Sequence, residues 1–325
     1  MATSHNRSSG VLEFVLICFP GIESWQHWLS IPIALLFLVV LTANTSLIIT
    51  IYSSPRLHKP MYYLLLLLSS VDLLMSLTIA PKALAVLWFD KKTISPFACF
   101  SQIFILYSSR GLESSIFICL AYDRYVAICH PLHHSSIITS KRTTQAVALS
   151  LICNTVLYLP YPLLAARLQY CAETIPHCLC ENVPLAKLAC ESILANHIYP
   201  MVILTTLLMF LSLSLAFSYS MILRAVLRLG TPGAARKAFS TCTAHLILVC
   251  LFYCTIILIP ISNRVEQFIP RSAHVVLRLC EHLLLPALNP LVYGIRTNDI
   301  RQEIPMLFRR MTFSMLNTNP KNNNK

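Results

Sequence analysis

The sequence predicts an all-α membrane protein: a seven-transmembrane helix bundle followed by a short amphipathic helix. Three observations carry this. Apolar residues make up 56% and charged residues 12% of the 325 residues, whereas a soluble domain carries about 25% charged residues. Mean hydropathy is +0.66. The apolar residues fall in long continuous runs rather than the strand-period alternation of a barrel.

Seven runs reach the roughly twenty residues that a span needs. They are about Ser30–Ser53, Met61–Phe89, Phe97–Cys129, Thr143–Leu164, Ile198–Leu227, Ala238–Ser262 and Ser272–Ile295. Several exceed the minimum, which permits tilt. The chain then divides into an outer tail (1–29), the bundle (30–295) and an inner amphipathic helix with a disordered tail (296–325). Met1–Gly10 is polar, without a basic region leading into an apolar core, so the first span is expected to act as the targeting element.

Lys and Arg set the orientation. With the N-terminus outside, fifteen of the 25 fall in inner segments and seven in outer ones. Positive charge marks the cytoplasmic side. The remaining three, Lys82, Arg110 and Arg278, lie within spans. The net charge of +12 therefore reads as orientation and attraction to anionic membrane lipid. Without a span-free domain to carry it, nucleic-acid binding is not expected.

Asn6-Arg7-Ser8 in the outer tail is an N-glycosylation sequon. Asn44-Thr45-Ser46 also fits, but lies inside a span beyond the reach of that machinery. Asn44 in span one and Asp72 in span two are polar groups in apolar runs. An ionisable group in a span costs about 2.5–3.5 kcal/mol by insertion scales and normally has a partner. Span three adds Arg110 and Glu113 on neighbouring faces. Two readings stay open. They form a mutual ion pair, or Glu113 joins Asp72 around a cation while Arg110 faces an acidic ligand.

Span three ends in Ala121-Tyr122-Asp123-Arg124-Tyr125-Val126-Ala127-Ile128-Cys129, and Pro131 favours a helix stop just beyond. Asp123 and Arg124 thus sit where a helix leaves the membrane. The functional reading is a charge held locally in one state and released to a partner in another; the plain one is a snorkelling anchor. His130, His133 and His134 read as a solvated basic loop rather than a metal site.

Span four ends in Pro160-Tyr161-Pro162. The outer loop that follows holds Cys171, Cys178, Cys180 and Cys190, with Cys99 at the outer end of span three. Thiols outside the cell oxidise. Five cysteines leave at least one unpaired, and spacing does not give the connectivity. The other eight read as small apolar residues. In span six, Pro260 either breaks the helix near its outer end or makes a kink that neighbouring groups tolerate by re-satisfying the backbone, with Arg264 just beyond. In span seven, Pro290 removes a helix hydrogen bond, and Asn289 is expected to occupy the freed groups. Thr297–Phe313 is basic and amphipathic, interrupted by Pro305.

These motifs together resemble a rhodopsin-like G-protein-coupled receptor, and specifically an olfactory receptor of the class I, fish-like branch. The resemblance rests on Pro60-Met61-Tyr62-Tyr63, Leu120–Cys129 with His130-Pro131-Leu132, Ser218-Tyr219, Lys237–His245, and Asn289–Gly294 with Arg296-Thr297. It covers about residues 12–312. Phe19-Pro20-Gly21-Ile22-Glu23 and the cysteine-rich loop carry the class I part. The Phe252-Tyr253-Cys254 run, where most non-olfactory relatives have a Trp, separates it from other receptors of the superfamily.

The resemblance implies a plasma-membrane receptor that binds a small volatile odorant and activates a stimulatory heterotrimeric G protein to raise cAMP. It implies Cys99–Cys180 and Cys171–Cys190 disulfides, with Cys178 left free. Asn44, Asp72, Glu113 and Asn289 match a sodium-pocket region, so an allosteric sodium ion is the one cofactor expected. Asp123, Arg124, Tyr125, Tyr219 and Tyr293 match the inner switch. The odorant cavity is expected to be lined by Tyr107, Arg110 and Leu112 of span three and Val183 of the loop. Tyr253 and Leu258 of span six are expected there too, with Arg264 at the mouth. Arg264 matches an arginine that engages acidic odorants in class I relatives.

The sequence departs from that pattern at Ala43, at Pro286-Ala287 and at Pro260, which stands about where acid-binding relatives carry a small hydroxyl residue. Outside the superfamily the alternative is a channel or transporter, with Asp72, Arg110, Glu113, Glu281 and His282 along an ion path. No repeat between the chain's halves supports it. No nucleophile elbow or catalytic metal-ligand spacing points to an enzyme.

Overall fold

The computed structural model describes residues 12–19, 25–229, 232–265, 268 and 270–317, without side chains in parts of 229–271 and 308–317. It is a helical bundle: α1 (Gln26–Ser53), α2 (Pro60–Phe89), α3 (Pro96–Cys129), a short α4 (His134–Ile137), α5 (Ser140–Tyr158), α6 (Pro160–Ala166), a short α7 (Asn182–Ala186), α8 (Leu194–Leu229), α9 (Pro232–Val265), α10 (Arg271–Arg296) and α11 (Asn298–Asn317). Among the described residues, six segments are long and apolar enough to cross a membrane, α5 and α6 counting as one; α9 adds the apolar stretch Cys242–Leu258. The chain is a multi-pass, seven-helix membrane protein.

Local chemistry sets the helix ends. Pro60 and Pro96 occupy first-turn positions, where a missing N–H costs nothing. Ser95 and Thr139 cap α3 and α5 by accepting from the Ala98 and Arg142 amides, both at 3.3 Å. The fourth span is split at Leu159–Pro160, since Pro160 cannot donate back into α5. Of the two readings of Pro260, the break is not what forms: α9 runs on to Val265. Pro305 likewise lies inside α11. Neighbouring groups in a bundle can satisfy the carbonyls that such prolines release.

One such rescue is visible. Pro290 has no N–H to give the Pro286 carbonyl. Asn44 Nδ2 donates to that carbonyl at 2.9 Å from α1, and to Val40 O at 3.0 Å. The filling group is thus Asn44, not Asn289 as the sequence led one to expect; Asn289 Nδ2 instead donates to Asp72 Oδ2 at 2.9 Å.

α3 runs through the centre, against α2, α5, α6, α8 and α9. Gly111 allows α5 its approach: a Cβ there would overlap Asn154 Oδ1 and the Tyr158 ring. One buried cluster joins Phe14, Leu16, Ile79, Leu87, Ile103 and Leu279 at one end. A second, with Leu65, Phe117, Leu248, Phe252 and Tyr293, fills the other.

A small sheet lies at the end where α2 joins α3. β1 (Phe14–Leu16) is central, flanked by β2 (Thr93–Ile94) and β3 (Thr174–Ile175). β1 pairs antiparallel with β2, Phe14 opposite Ile94, and parallel with β3, Leu16 opposite Ile175. The segment 167–193 after α6 and residues 12–19 thereby form one lid. At the opposite end, α11 docks through the buried Ile300 and through Tyr62 Oη, which donates to Asp299 Oδ2 at 2.7 Å.

Candidate functional site

The lid is covalently tied to the bundle. Cys99 of α3 bonds Cys180, and Cys171 bonds Cys190 within the loop, the two pairs implied by the resemblance. Cys178 is not free as expected: it bonds Cys18. The β1–β3 register explains this, because aligning Leu16 with Ile175 carries Cys18 to the turn after β3. Cys18 had been grouped with the small apolar cysteines; its role depends on a pairing across a separation of 160 residues. Gln102 adds a further tie, accepting from the Cys180 amide at 2.8 Å and donating to Thr78 O at 2.9 Å.

Beneath the lid lies a cavity of about 430 Å³ between α3, α5, α6, α8, α9 and α10. Leu106, Ile203, Leu204, Leu207 and Ile256 line one side, and the rings of Tyr107, Tyr158 and Tyr161 another. Tyr107 and Tyr161 stand 4.5 Å apart between ring centroids, and Tyr158 and Tyr161 5.5 Å. The polar wall is Arg110, Glu181, Arg278 and His282, with Lys187 and His197 also lining the space.

Of the expected lining positions, Tyr107, Arg110 and Val183 border this cavity. Leu112, Tyr253 and Leu258 do not. A helix turns about 100° per residue. Leu112 follows Arg110 by two positions and Leu258 follows Ile256 by two, so each points away from the residue that faces the cavity. Leu258 is 40% exposed. Tyr253 turns to α8, its hydroxyl 2.8 Å from Ser212 Oγ. The side chain of Arg264, and Asn6 altogether, lie outside the described residues.

The polar wall is a chain of buried ion pairs. Arg110 Nη1 lies 2.9 Å from Glu113 Oε2, and Nη2 donates to the Glu281 carbonyl at 2.7 Å. Arg278 Nη2 lies 2.6 Å from Glu181 Oε2, and Nη1 3.1 Å from Glu281 Oε2. His282 Nε2 is 3.3 Å from Glu181 Oε1. An ionised carboxylate only accepts, so His282 donates from Nε2. Burial by itself would raise the Glu181 carboxyl. The Arg278 guanidinium, the His282 hydrogen bond and the charge of His177 outweigh it and hold Glu181 well below the usual carboxylate range. Of the two readings of Arg110 and Glu113, the structure has the ion pair, and Arg110 lines the cavity as well. Glu181 gave no signal in the sequence, sitting in a loop beside a cysteine. Arg278 stood out only as a cation within a span.

Deeper in the bundle, Asn44, Asp72, Glu113 and Asn289 are all buried. Each keeps one side-chain oxygen without a hydrogen-bond partner.

At the end away from the sheet, Asp123 Oδ2 lies 3.8 Å from Arg124 Nε, while His134 Nε2 reaches Asp123 Oδ1 at 3.2 Å. Arg124 Nη2 rests against the Met61 sulfur. Tyr125 Oη is 3.3 Å from His130 Nε2. Tyr219 and Tyr293 are not bonded to each other. Tyr293 Oη is buried without a partner, and Tyr219 Oη is 2.5 Å from His245 Nδ1. His245 Nε2 lies 3.0 Å from the Phe117 carbonyl, which fixes the proton on Nε2 and makes Tyr219 the donor to Nδ1. A single imidazole therefore ties α8, α9 and α3 together.

The comparisons agree with this architecture. The family model described as "Olfactory receptor" matches residues 33–310. Olfactory receptor 56A4 of Homo sapiens is 47% identical over 313 residues, 96% of this chain and 100% of that protein. Olfactory receptor 56B34 of Mus musculus is 42% identical over 305 residues, 93% of this chain and 94% of that protein. Olfactory receptor 51E1 of Homo sapiens is 36% identical over 96% of this chain and 98% of its own. Seven helices, a disulfide-tied lid over a cavity, an Asp-Arg-Tyr helix end and these relatives lead to one conclusion: the chain belongs to the olfactory receptor family of G-protein-coupled receptors.

Proposed function

We propose that the chain binds a volatile ligand in the cavity beneath the lid and activates a stimulatory heterotrimeric G protein, raising cAMP. In this reading it acts from the plasma membrane, with the sheet end outside. The observation that supports it most is the pairing of a largely apolar cavity, with convergent polar groups on one wall, with a separable charge cluster at the other end of α3.

The mechanism is a shift between two packings. A ligand shifts the balance only by binding the active state more tightly. Moving the bundle from about 1:99 to 99:1 takes about 5.5 kcal/mol of such preference. Burial against Leu106, Leu204, Leu207 and Ile256 supplies part, and hydrogen bonds at the Arg110–Arg278 wall supply the rest. The wall joins α3 to α10, so a ligand that re-spaces it is felt along both. At the inner end, α9 moves away when Tyr219–His245–Phe117 opens. Arg124 then exchanges Asp123 for the G protein.

The four oxygens left without partners on Asn44, Asp72, Glu113 and Asn289 suit a hard cation such as sodium. Asp72 and Glu113 would hold it by charge, and Asn44 and Asn289 by their amide oxygens. It would favour the resting packing by fixing α1, α2, α3 and α10. The test of the reading is cAMP in cells bearing the receptor with an export chaperone. Arg124→Ala is expected to reach the surface and to lose the odorant response. A normal response at equal surface density would remove Arg124 from the switch.

A further inference from the structure

The wall of the cavity has its own charge balance, and that balance restricts what can bind. Two guanidinium groups, Arg110 and Arg278, face three carboxylates, Glu113, Glu181 and Glu281. All five residues are buried, none more than 7% exposed. Each arginine is already matched: Arg110 by Glu113, and Arg278 by Glu181 and Glu281 together. A carboxylate ligand would enter as one more buried negative charge, opposite an apolar side formed by Leu106, Leu204 and Ile256. Burying a charge without a partner is strongly unfavourable.

It could escape this only by displacing Glu181 from Arg278. Glu181 has nowhere to go. Its neighbour Cys180 is bonded to Cys99, and the Cys180 amide is held by Gln102. The displaced Glu181 carboxylate would stay under the lid, stranded. Lys187 and His197 also border the space but are exposed, where water and salt weaken their pull on an anion.

An uncharged oxygen meets no such obstacle. A guanidinium carries five N–H groups, and the contacts of Arg110 use Nη1 for Glu113 and Nη2 for the Glu281 carbonyl. Arg110 therefore has N–H capacity for a carbonyl oxygen without any change in the charge of the wall. The apolar side and the tyrosine rings then take the hydrocarbon part.

We infer that this cavity selects uncharged volatiles bearing an acceptor oxygen, such as aldehydes, ketones and esters, and rejects the matching carboxylates. The inference rests on the cAMP-coupled receptor reading above and names its ligand class.

The test uses octanal, methyl heptanoate and octanoic acid at neutral pH on cells with the full-length receptor at the surface, read as cAMP. The neutral compounds are expected to activate, and octanoate to be weaker by at least about tenfold. Glu181→Gln removes the third carboxylate and leaves two guanidinium groups against Glu113 and Glu281, so the wall no longer carries excess negative charge and octanoate is expected to gain at least about tenfold relative to octanal. Should that variant not reach the surface, the wild-type comparison decides alone. Octanoate as potent as octanal, or more so, overturns the inference and leaves the receptor reading standing. Silence toward both classes at confirmed surface density counts against the receptor reading itself and takes the inference with it.

Discussion

Arg278→Ala tests whether the buried wall holds the lid to α10. Its side chain is 3% exposed, as is that of Glu181, and Glu281 is at 2%. Deleting the guanidinium takes from both Glu181 and Glu281 the ion pair each makes with Arg278. Breaking a buried pair by removing one member costs about 3–5 kcal/mol, against a total stability of about 5–15 kcal/mol. The variant should therefore unfold at a clearly lower temperature, and less of it should reach the surface. Arg278→Met combined with Glu181→Leu removes both charges and should recover much of the loss.

The pH dependence has a definite sign. Because Glu181 is held below its unfolded value, its stabilising charge is present above the ordinary carboxylate range and lost only as pH falls well below it. In Arg278→Ala that support is removed, so the Glu181 carboxyl takes up a proton at higher pH. The gap between wild type and variant should narrow as pH is lowered toward the carboxylate range. The assay is thermal unfolding of purified, detergent-solubilised protein at neutral and mildly acidic pH. An Arg278→Ala midpoint equal to wild type, or a double variant as unstable as the single, would refute the buried-pair reasoning.

Two further outcomes are expected. His245→Phe cuts the tie that Tyr219 and the Phe117 carbonyl share, so basal cAMP should rise at least about twofold, a small population shift of well under 1 kcal/mol; basal signalling at or below wild type, normalised to surface density, would contradict it. Cys18→Ser and Cys178→Ser should each cost about 2–5 kcal/mol and the pair no more than either alone, because both remove the same bond; additive losses in thermal unfolding would show that the two sulfurs act separately.

Much of this molecule is legible in its sequence because lipid leaves few options. A continuous apolar run has to be a helix, so seven spans follow from composition and length. The ends are local too: Pro131 follows the stop of α3 at Cys129, and Pro96 opens it. What stayed hidden depends on contacts between distant segments. The strands are two or three residues long and pair residues 14–16 with 93–94 and 174–175, too short for any periodicity. Cys18 belongs to the lid only once that register exists. Glu181 becomes a wall residue because the Cys99–Cys180 bond lays it against α10, and nothing around it in the chain announces Arg278. Leu112 and Leu258 failed as lining positions for a rotational reason, since a span shows which residues are buried in lipid or protein but not which way each faces.

The most direct test of the central claim, that a ligand under the lid changes the packing around Arg124, uses purified receptor in lipid nanodiscs with a stimulatory heterotrimer. GDP release is timed with and without an active volatile. The account predicts at least about tenfold acceleration by the ligand, absent in Arg124→Ala. An unchanged release rate with the ligand demonstrably bound would contradict it.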